Sequence, residues 1–586
     1  MERNMNQEGP LSLLFHFTDR LGNIKPMYFN EPKEVVIAHS LQDVLPSFEK
    51  VQKAIDDGFY AAGYVSYEAA PAFDKCFKVK PDARMPLVWF GIFEKPAEHI
   101  EETLNSFQVS DWKSETDSQS YRMGFQTIKA EIERGNSYQV NYTMRLRSKF
   151  NGDDHAFYNR LLRAQRSNYS AYLNLGKYRI LSASPELFFR WEDGQLTTRP
   201  MKGTVKRGRN REEDLDNASW LANSEKNQAE NLMIVDLLRN DMGMVAEQGT
   251  VKVPKLKEIE KYPTVWQMTS TITAKTKPET TIIDVFRALF PCGSITGAPK
   301  IKTMEIISEL EHSPREVYCG AIGYITPNRE AVFNVPIRTV VINKETAQAE
   351  YGVGGGITWD SVPTEEYDEA FLKAKLLTEE RPIYQLLESI RLENGQYFLL
   401  ESHIERMKKS AEYFDFLLSD SALRNELEEY ANLHTDTLEK VRVLVSENGE
   451  IIVSGQIIDE VNPELTGILA GSSVYSENPF LQHKTTNRGI YEKFKRRHPD
   501  FDEVLLWNEK EEITEFMNGN VLVKMNGELF TPPLESGLLA GTFRQELLNR
   551  NEVQERKIKK NEMYKADEVW FINSVRGKVK VNLTYL

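Results

Sequence analysis

Through residues 11–93 apolar and polar positions alternate, a period that predicts strands and turns; the longest apolar run there is LVWFGIF, residues 87–93. Residues 94–120 are polar and acid-rich and read as a surface connection. From residue 121 the pattern becomes regular. It predicts a helix over 121–135 (YRMGFQTIKAEIERG), strands around 138–146 and 178–189, a long helix over 223–238, a glycine-dense strand region reaching Gly356, and a helix over 365–377. In the long helix the 3.6-residue period places Leu232, Val235 and Leu238 on one stripe, with Glu230 near its margin. TEERP, residues 378–382, is charged and broken by proline, as a junction would be. After it a strand, helix and strand pattern restarts for about 204 residues, enough for a second domain. The predicted division is therefore 1–120 as the N-terminal part of the first domain, 121–378 as its core, 379–383 as linker and 384–586 as the second domain.

Composition narrows the function. A chain of 586 residues is too long for one core. Its 87 acidic against 73 basic residues give a net charge of −14, which argues against a nucleic-acid partner. An anionic substrate would need a local positive site. Apolar runs fall far short of the roughly 20 residues of a membrane span, and the first ten residues, MERNMNQEGP, lack an apolar signal core. A cytoplasmic protein with no membrane partner is expected. The three cysteines, Cys76, Cys292 and Cys319, have neither metal-ligand nor disulfide spacing.

Several stretches carry residues that chemistry would use. TTRPMKGTVKRG (197–208) holds Lys202 between a Met and a Gly. Packed neighbours can strip such a lysine of hydration and of its proton, making it a nucleophile, although a single loop lysine is ordinarily solvated. SASPELFF (182–189) puts Glu186 after a proline at a strand edge. In TEEYDEAFLKAKLL (364–377), Glu366 and Glu369 share a helix face, and a hard divalent cation would relieve their repulsion; taken alone, the pair reads better as a solvated acidic face. PCGSITGAPK (291–300) and YGVGGGITWD (351–360) can offer backbone N–H groups to an anion but match no nucleotide fingerprint. Arg338 in FNVPIRT suits a bidentate grip on a carboxylate. In the second part, LQHKTTNRG holds Lys484 and EEITEFMNGNVLV holds Glu515, 31 residues apart.

Taken in order, SYQVNYT, SASPELFF, TRPMKGT, AENLMIVDLLRND, GSITGAPK, FNVPIRT and GGGITWDSVPTEEYDE resemble the chorismate-binding enzymes, which include anthranilate, isochorismate, salicylate and aminodeoxychorismate synthases. The resemblance implies an α+β fold whose core is a two-sheet β-sandwich with surrounding helices. It makes Lys202 the nucleophile that adds to C2 of chorismate, a position where anthranilate synthases generally have a small residue, and Glu186 the acid for the departing C4 hydroxyl. It assigns Glu230 and Glu369, with Glu366 through water, to Mg²⁺, and Gln139, Thr296, Tyr318, Arg338, Gly354 and Gly356 to substrate. Gln139 stands where water-adding isochorismate enzymes have a lysine base, Asn227 replaces an acid of anthranilate synthases, and Gln267 replaces a histidine of many members. SLLFHF departs from the tryptophan-binding motif of anthranilate synthases, so tryptophan binding is not expected.

Residues 384–586, with ESHIERMKKSAEYF and TPPLESGLLAGTFRQELL, resemble the class IV pyridoxal-phosphate enzymes, among them aminodeoxychorismate lyase and the branched-chain aminotransferases, and imply their α+β fold, that of the D-amino acid aminotransferase type. By that match Lys484 bonds the cofactor, Glu515 pairs with its ring nitrogen, and Arg406, the amides of Thr542 and Phe543, and Ser574 hold its phosphate. The opening strand of stand-alone members is not evident. Both resemblances together imply 4-aminobenzoate synthesis from chorismate and ammonia. No glutaminase nucleophile turn is visible, so ammonia would come from solution or a separate glutamine amidotransferase subunit. Class IV relatives imply a homodimer through the second domain. An anthranilate-type synthase joined to an aminotransferase, and a catalytically silent chorismate-binding scaffold, are the alternatives.

Overall fold

Val44, Phe48, Val51 and Ile55 form a buried helical stripe along α1 (Leu41–Asp56), a helix inside the region whose alternation predicts only strands and turns. The computed structural model describes residues 11–98, 105–262, 264–379, 382–458 and 463–585. It divides into two units, Met1–Lys206 with Ala218–Arg381, and Arg207–Asn217 with Pro382–Leu586. Residues 1–10, and residues 380 and 381 of the predicted linker, lie outside the described residues.

The first unit contains two ten-stranded sheets. Leu13, Phe15, Phe17, Tyr64, Trp89 and Val332 fill the space between them, drawn from strands of both. Helices cover the outer faces: α1 packs through Phe48 on one, and the helix Ser118–Glu133 packs through Phe125 on the other. The apolar SLLFHF run is part of this core, with Phe15 and Phe17 packed against Tyr324 at 5.4 and 5.8 Å between ring centroids. The 94–120 stretch is not loop alone, since Phe107–Val109 and Lys113–Ser114 pair with β1 (Gln139–Gly152).

The predicted single strand over 178–189 is two strands in different sheets. β2 (Tyr178–Ser184) lies in one and β3 (Leu187–Glu192) in the other. Pro185, which has no N–H to give a ladder, marks the crossing. β4 (Met201–Lys206) follows in the second sheet. The predicted helix over 223–238 is α2 (Glu225–Gly243), and its buried stripe differs from the expected one: Asn231, Ile234, Val235, Leu238 and Met242 are buried, whereas Leu232 is 43% exposed. Taking every leucine as inward missed that a buried asparagine occupies the neighbouring position; Asn231 accepts a hydrogen bond from the Ser270 hydroxyl at 2.5 Å. β5 (Val265–Lys275) pairs with β4. β6 (Gln348–Ile357) runs antiparallel to β1 from Gln348↔Lys149 to Ile357↔Val140 and leads into α3 (Pro363–Ala374).

The second unit has a four-stranded and an eight-stranded sheet. The smaller includes β7 (Leu386–Glu393), and its helix-covered face packs Leu386 and Ile390 against Ile404 and Met407 of α4 (Leu400–Phe414). β8 (Leu438–Val445) and β9 (Ile451–Ile457) on one side of β7, and the two-residue strand Gln396–Tyr397 on the other, complete that sheet. The larger includes β10 (Ile513–Phe516) and is followed toward its end by α5 (Thr542–Asn549). Arg207–Asn217, predicted to lie within the first core, belongs here. Arg207 and Asp214 form a buried bidentate pair at 2.7 Å, the Tyr413 hydroxyl donates to Gly208 O at 2.6 Å, and the Arg207 guanidinium lies 4.8 Å from the Tyr413 ring. Among the described residues no helix is long and apolar enough to cross a membrane.

Candidate active sites

Two crossings between the sheets build the first site. The chain passes from β2 to β3 at Glu186, and from Ala331–Asn334 to Thr339–Asn343 at Arg338. The crossings are tied together: Val335 N–H donates to Glu186 O at 3.1 Å, Ala183 N–H to Arg338 O at 3.1 Å, and the Ser184 hydroxyl to Val335 O at 2.6 Å. They open onto a cleft of about 1140 Å³, whose walls include Lys202 of β4, Glu230 of α2, and Glu366, Glu369 and Lys373 of α3. Two glycine requirements follow from packing. A Cβ at Gly352 would stand 2.4 Å from the Tyr318 ring, and one at Gly356 2.1 Å from the Gln139 side-chain nitrogen.

The cleft brings cations, Lys202, Lys226, Arg338 and Lys373, together with the acids Glu186, Glu230, Glu366 and Glu369. Lys202 Nζ donates to Ser294 O at 3.2 Å, and burial draws its ammonium below the usual lysine value against the raising fields of Glu230 and Glu186. Burial pushes the Glu186 carboxyl up to about 7, and its Oε1 has no hydrogen-bond partner. Arg338 lines the cleft at a positive φ of 53°, and burial lowers its guanidinium from the usual value. Such a cation, in one cleft with Tyr318, suits a substrate carboxylate.

Glu230, Glu366 and Glu369 share the cleft but not one cage, since among the described residues no group of three or more acidic, histidine or cysteine ligands is close enough to hold a metal. Lys373 binds Glu369 at 2.8 Å and holds its carboxyl low, and Ser361 donates to Glu366 at 2.7 Å. Burial raises Glu230 and Glu366. This donor set suits Mg²⁺, which takes one or two carboxylates together with substrate oxygens and water.

The structure brings Glu186, Lys202, Glu230, Tyr318, Arg338, Gly354, Gly356, Glu366 and Glu369 to one cleft. Gln139 and Thr296 do not line it. Thr296 is fully buried with its hydroxyl directed to Cys292 O and Gly293 O, and Gln139 lies behind Gly356, 1% exposed, both its amide atoms without a partner. Asn141, two residues along the same strand face, lines the cleft instead. Gln267 lines it too, but its amide is committed to the strand that carries Lys202, donating to Gly203 O at 2.9 Å and accepting from Thr204 at 3.1 Å. Lys373 went unanticipated, although its position four residues after Glu369 on a helix is the signal for such a pair.

In the second unit Lys484 is buried, and desolvation together with Arg406 draws its amine down to about 8. Burial raises Glu515 on β10 to about 7; Tyr491 donates to its Oε1 at 2.8 Å and Leu539 N–H to its Oε2 at 3.0 Å. Arg406 of α4 grips Glu388 at 2.8 and 2.7 Å and reaches Ala540 O at 3.0 Å, just before α5. Burial alone would raise Glu388, but Arg406 and His403 hold it far below the usual carboxylate range. The N-cap of α5 is Gly541, which brings no capping side chain to the Thr542 and Phe543 amides, and a Cβ there would strike Asn520 Oδ1 at 1.8 Å. Ser574 is buried nearby in sequence to the strand Glu568–Asn573. An amine drawn down to about 8, a buried acid and a helix N-terminus beside an arginine make a set of groups that fits pyridoxal phosphate.

Comparison with known proteins bears on both units. The family of chorismate binding enzymes matches residues 17–379, and that of class IV amino-transferases matches residues 385–583. The chain is 44% identical over 265 residues to aminodeoxychorismate synthase component 1 of Salmonella typhimurium, covering 45% of this chain and 58% of that one. It is 36% identical over 333 residues to anthranilate synthase component 1 of Saccharolobus solfataricus, covering 54% and 79%. The solved anthranilate synthase component I of Streptococcus pneumoniae superimposes with a TM-score of 0.52 at 25% identity, over 65% of this chain and 94% of that one. The chain belongs to the chorismate-binding enzymes. Its second unit carries the class IV aminotransferase fold, and the chain spans 58% of the aminodeoxychorismate synthase component it matches.

Proposed function

We propose that the first unit aminates chorismate at C4 and that the second removes pyruvate from the product to leave 4-aminobenzoate. The observation that carries this reading is the Lys202 amine, desolvated and held by Ser294 O in the same cleft as Glu186, Glu230 and Glu369. The neutral amine adds to C2, the ring double bond shifts, and the C4 hydroxyl leaves with a proton from Glu186. Ammonia then adds to C4, the double bond shifts back, and Lys202 departs from C2. Arg338 and Tyr318 hold substrate carboxylate. Glu230 and Glu369, with Glu366, would hold Mg²⁺, which supplies positive charge to the substrate's oxygens.

In the second unit pyridoxal phosphate, when bound through Lys484, supplies the electron sink for the elimination. Lys484 takes the C4 proton, Glu515 keeps the ring nitrogen protonated, and pyruvate leaves from C3. Ammonia is supplied by solution or by a separate glutamine amidotransferase, and the second unit pairs as a homodimer. The test is to incubate the pure full-length chain with chorismate, ammonium and Mg²⁺, with and without pyridoxal phosphate. Pyruvate and 4-aminobenzoate should appear together only with the cofactor. Formation of 2-aminobenzoate would instead establish the anthranilate-type alternative, which Lys202 disfavours.

The two shifted groups set a pH profile. Glu186 must be protonated to act as an acid, so its ionisation above about 7 opposes the gain from Lys202 deprotonation, and kcat/KM for chorismate should pass through a maximum with an alkaline fall that needs Glu186. Lys202 must be neutral, so the acid side should rise with pH, from a point below the ordinary lysine value. Initial rates of aminodeoxychorismate formation across the range will show whether Glu186→Gln, at its low residual rate, removes the alkaline fall. An unchanged fall in that variant would assign the titration elsewhere.

A further inference from the structure

One face of the four-stranded sheet in the second unit gathers more cations than acids, Glu393 there pairing with Arg391 at 3.9 Å. Alternation along β7 turns Leu386 and Ile390 toward α4, so Ser389 and Arg391 point to the opposite face. The register sets Lys440 of β8 against Arg391 and Arg442 against Ser389, on that same face. Their neighbours Val441 and Val443 face the helices, as does Glu439, which accepts from Tyr430 at 2.7 Å.

Two further arginines come from the larger sheet's loops. Arg488, four residues beyond Lys484, donates to Met517 O at 2.7 Å and Asn518 Oδ1 at 3.0 Å. Asn518 O accepts from Asn573 at 3.2 Å, and Asn573 Oδ1 accepts the Arg576 N–H at 2.7 Å, so the turn bearing Arg576 is fastened to the same loop. Burial lowers the Lys440 ammonium, and Arg576, Arg442 and Arg488 lower it further. Lys440, Arg442 and Arg488 form no ion pair with an acid among the described residues. The acids whose fields reach Arg576 are already engaged, Asp502 by Thr466 and Glu503 by Asn518. Lys440, Arg442 and Arg576 keep exposed surface, so water screens part of this repulsion, and an anion would relieve the rest. The group also adjoins the reactive lysine: Leu387 N–H donates to Lys484 O at 3.0 Å.

We propose that Lys440, Arg442, Arg488 and Arg576 form the carboxylate-recognising side of the second site and select a ring-borne dicarboxylate over a monocarboxylate. This rests on the lyase reading above, whose substrate carries one carboxylate on the ring and another on the enolpyruvyl group. Lys484 then meets the substrate's amine while the cations hold its acids.

The test uses full-length protein loaded with pyridoxal phosphate, whose absorbance reports the second site alone and shows that each variant is folded. 3-(Carboxymethoxy)benzoate is titrated into wild type, Lys440→Gln/Arg442→Gln and Arg576→Gln, with benzoate as the monocarboxylate. The dicarboxylate Kd should rise about tenfold for each cation removed, and the benzoate Kd less. The KM for 4-amino-4-deoxychorismate should rise in parallel while kcat stays within about twofold. Equal dicarboxylate affinity in wild type and the double variant, or no binding by wild type, would overturn the proposal. A wild type that binds the dicarboxylate through these residues yet releases no pyruvate would sink the lyase reading and leave the carboxylate site standing.

Discussion

Lys202→Ala is expected to lower aminodeoxychorismate formation by about 10³-fold or more, while pyruvate release from supplied 4-amino-4-deoxychorismate stays near the wild-type rate. The size follows from what is lost. Amination at C4 with the ring double bond restored needs two shifts of the allylic system, and the lysine adduct divides one difficult displacement into two. Without the amine, ammonia must displace hydroxide directly from a carbon that is not activated for it. The position is specific as well as reactive. Gly203, at a φ of +84°, lets β4 bulge beside Asn227, and Gln267 pins that bulge from β5, so the amine is held between Glu186 and Glu230. Discontinuous assays of the two half-reactions check the split. Full amination by the variant would remove the covalent step, and loss of both half-reactions would point to unfolding, which thermal denaturation would reveal.

The chemistry of this cleft was legible where it is local and hidden where it is tertiary. Lys202, Glu186 and the α3 acids sit in short runs that each read as solvated in isolation and gain a role from their order along the chain. The crossing of the chain between sheets at Pro185 and again before Arg338 is not visible in the pattern, because the apolar run on either side continues unbroken while its pairing partners change. α1 was hidden for a related reason: Val44, Phe48 and Val51 recur at helical spacing, but the surrounding strands dominate the alternation. In α2 the inward face includes Asn231 and Asp241, the latter paired with Lys300 at 2.8 Å, so reading burial from apolarity alone rotated the stripe onto Leu232. Arg207–Asn217 is charged enough to pass for a solvated loop, and the hydrogen bonds of Arg207 and Gly208 with Tyr413 show where it belongs. The four cations of the second site were invisible for the same cause, since strand register and two loops, rather than spacing along the chain, put them side by side.

Lys484→Ala should abolish the long-wavelength absorbance of the bound pyridoxal group and lower pyruvate release from 4-amino-4-deoxychorismate by about 10³-fold or more, with amination of chorismate unaffected. Two losses combine in one atom, because the same amine holds the cofactor and takes the C4 proton. Its suitability for both comes from burial and from Arg406, which draw it down to about 8, within reach of neutrality at physiological pH. Lys484→Arg separates the roles from simple charge: it keeps a cation in the pocket but offers no nucleophilic amine, so it should behave as the alanine variant does. The check is an absorbance scan of the reconstituted variants beside a pyruvate assay. A native band persisting in Lys484→Ala would assign the cofactor to another lysine. A retained elimination rate with the band lost would mean that Glu515 and the α5 phosphate cradle suffice to hold a cofactor that needs no covalent anchor.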